Sequence, residues 1–99
     1  MRIEQDPMTQ LVKETVTEVG LAPFEINTGN CDEFADKLVR KARKIGLNTR
    51  LIVNDRIGHI WTTCLGKHYD AETPDGVANW KELPTVARMN KEVTNENTK

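Results

Sequence analysis

Apolar positions along the chain first recur at helical spacing. Leu11, Val12, Thr15, Val16 and Val19 follow one another in steps of three and four, and Gly20 supplies a stop. A stretch from Leu21 to Gly29 without such a rhythm reads as a loop. The strongest pattern comes next: Cys31, Phe34, Ala35, Leu38, Val39, Ala42 and Ile45 keep the three-and-four step without a miss. Asp36, Lys37, Arg40, Lys41, Arg43 and Lys44 fill the opposite face. Gly46 stands where a left-handed C-terminal cap belongs.

Beyond Gly46 the period shortens. Leu47 to Val53 is rich in branched residues and reads as a strand, Asn54-Asp55-Arg56 as a turn, and Gly58 to Leu65 as a second strand. Gly66-Lys67 is assigned the hairpin connection, and His68-Tyr69-Asp70-Ala71 opens a third strand. Thr73-Pro74-Asp75-Gly76 is a further turn. Residues 77–83 suit either a short strand or a helical turn, and residues 84–90 a last helix. The polar ends, 1–7 and 91–99, are assigned to flexible termini around a single domain spanning 8–90. A main helix packed on a small antiparallel meander is an α+β arrangement.

Composition narrows the classes of function. Ninety-nine residues make one domain near the lower comfortable size for a single core, with 37% hydrophobic and 29% charged residues. Fourteen basic residues against fifteen acidic ones give a net charge of −1, so no basic excess points to nucleic acid or an anionic membrane. The opening residues lack the apolar run of a signal peptide, and no segment approaches the roughly 20 apolar residues of a membrane span. A cytoplasmic location is the expectation, and there the two cysteines, Cys31 and Cys64, remain thiols.

Cys31 sits where a thiol can do chemistry. Asn30 and Glu33 have the N-cap to N3 spacing of a capping box, which places Cys31 in the first helical turn. Unpaired N–H groups and the helix dipole there favour an anion, and the thiolate is the nucleophilic form. His59 opens a strand after Gly58, and Asp70 follows eleven positions later across a hairpin. Antiparallel pairing can bring the two side by side. The carboxylate would then orient the imidazole toward the thiol, in the order nucleophile, base, orienter. Taken singly, each residue also fits a bland role: a core thiol, a surface histidine, a turn-flanking acid.

The run Gly58-His59-Ile60-Trp61 … His68-Tyr69-Asp70-Ala71 resembles the His-x-Trp … Tyr-Asp signature of transglutaminase-like and related papain-fold proteins. Asn27-Thr28-Gly29-Asn30-Cys31-Asp32-Glu33-Phe34-Ala35 is similar to their Cys-bearing helix start. The resemblance covers roughly residues 24–84. It implies a minimal papain-like, transglutaminase-core-like fold with a Cys31–His59–Asp70 triad. Its activity would be that of a cysteine hydrolase or acyl transferase on an amide bond of a protein or peptide substrate, without a cofactor. Papain-like enzymes often carry an amide side chain ahead of the cysteine for the oxyanion. The position six residues before Cys31 is Glu25, which cannot donate when ionised, so Asn27 or Asn30 is the candidate, with Asn27 preferred if Asn30 caps the helix.

Trp61 and Trp80 are candidate walls of a substrate groove, with packing anchors as the competing role. Cys31, His59, Cys64 and His68 have ligand types for zinc, but His59 and Cys64 lie five apart in one strand and point to opposite faces, so no metal is assigned. The alternative function is a non-catalytic protein-binding module that retains a papain-like fold. A chain of this length leaves little room for the second subdomain that walls a cleft.

Overall fold

The computed structural model describes residues 6–89. The first helix, α1 (Pro7–Val19), begins where Asp6 accepts from the Met8 N–H at 2.9 Å and Pro7 occupies the first helical position. The helix thus starts one residue before position 8, where the sequence reading begins the domain. Residues 1–5 and 90–99 lie outside the described residues, which takes in most of the termini expected to be flexible (1–7 and 91–99) and the last residue of the helix expected over 84–90.

The segment expected to be a loop holds a second helix, α2 (Pro23–Gly29). Pro23 sets the first helical φ, and the Glu25 carboxylate accepts from the Ala22 N–H at 3.1 Å. The main helix follows at once as α3 (Cys31–Lys44), burying Phe34, Ala35, Leu38, Val39 and Ala42. Its end is a Schellman motif: the Leu47 N–H reaches the Ala42 carbonyl at 2.9 Å and the Gly46 N–H the Arg43 carbonyl at 3.1 Å. Gly46 takes φ +87°, which a residue with a Cβ resists. Ile45 is thereby turned outward to 59% exposure, against its place in the apolar pattern, and Leu47 packs on the core instead.

Three antiparallel strands run in sheet order β1-β2-β3: β1 (Thr49–Asn54), β2 (His59–Cys64) and β3 (Lys67–Tyr69). Ile52 lies opposite Trp61, and Thr62 opposite Tyr69. The β2–β3 connection is one residue earlier than its sequence suggests. Leu65 at φ +52° and Gly66 at φ +81° form the two-residue turn that joins the paired Cys64 and Lys67. With this register Cys64 stays on the covered face, while the exposed Leu65 accepts an unusual backbone conformation.

Alternation along the strands divides the side chains between two faces. One face carries Cys64 and Tyr69 into a core with Met8, Leu11, Val12, Ile26, Phe34, Leu38 and Ala42 from the three helices. The other turns Trp61 toward Leu83 and Val86, with Ile52, Ile57, Val77 and Trp80 packed around them. Val77 bridges to His68, so the ambiguous segment begins as an extended pairing and becomes a 3-10 turn at Trp80–Glu82. Residues 84–89 are helical. At Gly76, φ is +76° and an added Cβ would stand 2.8 Å from the Tyr69 ring, so the turn closes directly over that aromatic. The architecture is α+β, and no described helix is long and apolar enough to cross a membrane.

Candidate active site

Element lengths bring the beginning of α3 and the beginning of β2 to the same end of the domain. The Arg43 guanidinium donates to the Thr49 carbonyl at 3.0 Å, which ties the end of α3 to the start of β1. Strand β1, six residues long, covers about 20 Å, and α3, fourteen residues long, covers about 21 Å. A strand running back along the helix thus ends level with its first turn, and β2 starts there with His59.

His59 and Asp70 are paired. His59 Nε2 and Asp70 Oδ2 lie 3.0 Å apart, with the two side chains 0% and 1% exposed. Register accounts for this. Continuing the β2–β3 pairing one residue past Tyr69 sets Asp70 beside Trp61, diagonal to His59 on the same face. The carboxylate is itself held. Asp70 Oδ1 accepts from the Glu72 N–H at 3.0 Å and from the Thr73 hydroxyl at 2.8 Å, an Asx-type turn closed by the Thr73 N–H on the Asp70 carbonyl. With Nε2 facing a carboxylate, the remaining ring nitrogen, Nδ1, is buried and has no hydrogen-bond partner. Leaving a buried polar atom unpaired costs about 1–3 kcal/mol.

Cys31 is the first residue of α3 and is half-buried. Its sulfur makes no hydrogen bond to His59, since Nε2 is engaged by Asp70 and Nδ1 is unpartnered. The capping box expected from Asn30 and Glu33 does not form, because the Asn30 side chain makes no cap hydrogen bond. The reason lies in the joint between two helices. The Asn30 N–H closes α2 on the Ile26 carbonyl at 2.8 Å, and its carbonyl opens α3 by accepting from Phe34 at 3.1 Å. Its backbone, at φ −133° and ψ 24°, is fixed by both. Asp32 and Glu33 bring negative charge into the same turn as the thiol.

Asn27 is buried at the end of α2, and its amide NH2 donates one hydrogen bond. Nδ2 donates to Glu72 Oε1 at 2.9 Å, leaving Oδ1 buried without a partner. Burial pushes the Glu72 carboxyl up, but hydrogen bonds from Arg88 and Asn27 outweigh this and hold it below its ordinary range. Arg88 reaches Glu72 through both terminal nitrogens, at 2.8 and 3.3 Å, and its guanidinium lies 4.8 Å from the centre of the Phe24 ring. Neither Glu72 nor Arg88 is marked by any motif. The one sequence signal for Glu72 is its place in the Asp70–Thr73 turn.

The two tryptophans sit together. Trp61 is 2% exposed and belongs to the second core, so it does not wall a groove. Trp80, half-buried, stacks on it with ring centres 5.8 Å apart. The Trp61 indole N–H donates to His68 Nδ1 at 3.0 Å, and its ring centre stands 5.6 Å from that of His59. Cys64 is buried in the helix-side core, where burial pushes its thiol up and Asp6 adds to the effect. Among the described residues, no group of three or more His, Cys, Asp or Glu could hold a metal ion.

A cleft of about 350 Å³ opens at this end of the domain, between one side of α2 (Phe24, Asn27, Thr28), the β1–β2 turn (Ile57, Gly58) and helical residues Thr85, Arg88 and Met89. It therefore reaches the neighbour of His59 and a residue three positions before Cys31. No family model, curated protein or solved structure matches the chain in comparison with known proteins.

Proposed function

We propose that this domain is a minimal papain-like, transglutaminase-core-like cysteine hydrolase or acyl transferase acting on an amide bond. The observation that carries the reading is the buried His59–Asp70 pair, which leaves His59 Nδ1 as the one ring nitrogen without a partner. In the proposed reaction Nδ1 takes the Cys31 proton and the sulfur forms a bond to the substrate carbonyl carbon. The C–N bond then breaks as Nδ1–H protonates the departing amine. Water, or an acceptor amine, attacks the thioester and releases Cys31. Asp70 holds the imidazole in the matching tautomer and stabilises the imidazolium. With Asn27 Nδ2 engaged by Glu72, the backbone N–H groups of the first turn of α3 are the natural oxyanion donors.

One observation favours a second reading. The His59 side chain is 0% exposed and makes no bond to the thiol, as suits a structural clamp in a non-catalytic protein-binding module. Alkylation by iodoacetamide at pH 6.5, with the modified residue located by mass spectrometry, separates the two. An active site makes Cys31 react at least about tenfold faster than a free small-molecule thiol, because an adjacent base and helix N-terminus favour the thiolate. His59→Gln would remove that advantage while circular dichroism still reports a folded domain. A Cys31 rate no faster than the free thiol's, or one indifferent to His59, leaves the binding-module reading standing.

A further inference from the structure

Strand β1 is an open edge of the sheet, and its residues sort by the side to which their backbone groups point. The Leu65–Gly66 turn closes on Cys64 and Lys67, so Cys64 spends its N–H and C=O on β3. Opposed residues of an antiparallel pair alternate between bonded and unbonded. Thr49, opposite Cys64, therefore points away from β2, and so do Leu51 and Val53 further along the strand. The Arg43 guanidinium agrees with this parity, because it finds the Thr49 carbonyl at 3.0 Å. The N–H and C=O groups of Leu51 and Val53 are left facing outward, and no described residue pairs with them.

Natural sheets blunt a free edge with Lys, Pro or a bulge, since a bare one pairs with another strand. Here the blunting stops at Thr49. Beyond it, Leu51 and Val53 are 43% and 55% exposed on the helix side of the sheet, large apolar side chains beside open backbone groups. The other edge is shielded, because Val77 bridges to His68. A contact through β1 would thus close on itself instead of propagating.

We propose that β1 is the contact of a symmetric homodimer, in which the β1 strands of two copies pair antiparallel about a twofold axis at Ile52. The groups left open select this register. It sets Leu51 of each copy against Val53 of the other, so that all their outward groups join in four main-chain hydrogen bonds. A register centred on Leu51 would oppose Val53 to Thr49, whose carbonyl Arg43 already holds. Charges agree with the choice. Arg50 falls opposite Asn54 and beside Asp55 of the second copy, never against another Arg50, and neither Arg50 nor Asp55 has an ion-pair partner among the described residues. A longer strand from a different protein would run into Arg43 at Thr49, whereas a second β1 ends there. With six residues a side, the contact is smaller than a standard interface of about 1,600 Å², so the association is weak and concentration-dependent.

The test is analytical ultracentrifugation of the unaltered chain from about 20 µM to about 1 mM, with amide hydrogen exchange followed by NMR at both ends of that range. The apparent mass should rise toward that of two chains, and exchange at the Leu51 and Val53 amides should slow at least about threefold at the higher concentration. The double variant Leu51→Lys, Val53→Lys alters two exposed positions and sets lysine against lysine across the axis. It should stay monomeric at about 1 mM with an unchanged circular dichroism spectrum. In a Cys31→Ser background, diamide should link Ile52→Cys into a covalent dimer and leave Leu51→Cys mostly unlinked, because only position 52 meets itself. A single-chain mass at about 1 mM, a dimer that survives the two lysines, or faster linking through Leu51→Cys overturns the proposal. So does protection of the Leu51 and Val53 amides that is equal at both concentrations, which would place a segment of the same chain on the edge. Sedimentation and exchange need no substitution, so they decide the matter even if a variant fails to fold.

Discussion

The sheet is covered on both faces, by different means. Toward the helices, Met8, Leu11, Val12, Ile26, Phe34, Leu38 and Ala42 enclose Cys64 and Tyr69 by shape and apolar contact. The buried hydroxyls of Thr49 and Thr62 on that side have no partners. Toward the C-terminal segment, the fully buried apolar residues are Trp61, Leu83 and Val86, and directed bonds do the rest: His59 to Asp70, Trp61 to His68, and Asp70 to its own turn. Apolar burial is strong but has no direction, whereas a hydrogen bond fixes an angle. The helix face therefore supplies most of the stability, and the other face supplies the orientation of His59.

The largest effect should come from the helix face. Phe34 is 2% exposed near the start of the α3 stripe. Phe34→Ala is expected to cost about 3–5 kcal/mol in urea unfolding, a large part of what a domain of this size has to lose. A loss under about 1 kcal/mol would mean that the two faces share the load and that the contrast is wrong.

Next in size is Asp70→Ala, which removes the acceptor for the His59 ring, the Glu72 N–H and the Thr73 hydroxyl together. With two of these sites open to rescue by water, about 2–3 kcal/mol of stability should go. The separation of roles is sharper in reactivity. If His59 acts on Cys31, the alkylation advantage at pH 6.5 should vanish in Asp70→Ala but persist in a helix-face variant of equal stability loss, such as Leu38→Ala. Parallel losses in both variants would show that reactivity merely follows stability.

The helix face also contains a place where polarity brings no benefit. Thr62 is 0% exposed and its hydroxyl lacks a partner, while its backbone already pairs with Leu51 and Tyr69. Thr62→Val keeps the shape and removes the orphan, so it should raise stability by about 1 kcal/mol in the same urea assay. A destabilisation would reveal that the hydroxyl is bonded through water, and the helix face would then be less apolar than described.

The same contrast explains what the sequence made legible. The α3 stripe and the Gly46 cap could be read because a helix repeats its burial every three to four residues and ends in a recognisable way. Ile45 fits that rhythm but falls one residue beyond the helix, where the Schellman turn rotates it outward. Helix α2 was hidden because it buries only Ile26 and Asn27, too few positions to show a period between Pro23 and Gly29. His59 and Asp70 could be foreseen as neighbours because strand alternation and one hairpin set their positions. The Asn27–Glu72–Arg88 network could not: Asn27 and Glu72 are 45 positions apart, joined only once the helices have packed. The hydrogen bond from Asn27 Nδ2 to Glu72 was illegible for the same reason, since its partner lies far along the chain.

The smallest and most discriminating effect concerns His68. Its Nδ1 must be unprotonated to accept the Trp61 indole N–H, and burial lowers its affinity for a proton below that of an ordinary histidine, near 6.5. The folded state thus favours neutral His68, while the unfolded chain protonates it as pH falls through about 6.5. The contribution is fully present above that pH and is lost as pH drops toward the lowered folded value. Protonation there sets two donors face to face and frees the Trp61 ring, which packs beside His59. The loss should be about 0.5–1.5 kcal/mol, the worth of one neutral hydrogen bond. His68→Gln retains an acceptor and cannot titrate, so it should flatten this part of the stability–pH curve while the acid limb from the carboxylates remains. Trp fluorescence gives a second readout, because a change between pH 7 and 5 in the unaltered chain should be absent from His68→Gln. If both proteins trace the same curve, the bond between Trp61 and His68 does not hold the second face, and packing against Trp80, Leu83 and Val86 alone positions the wall of His59.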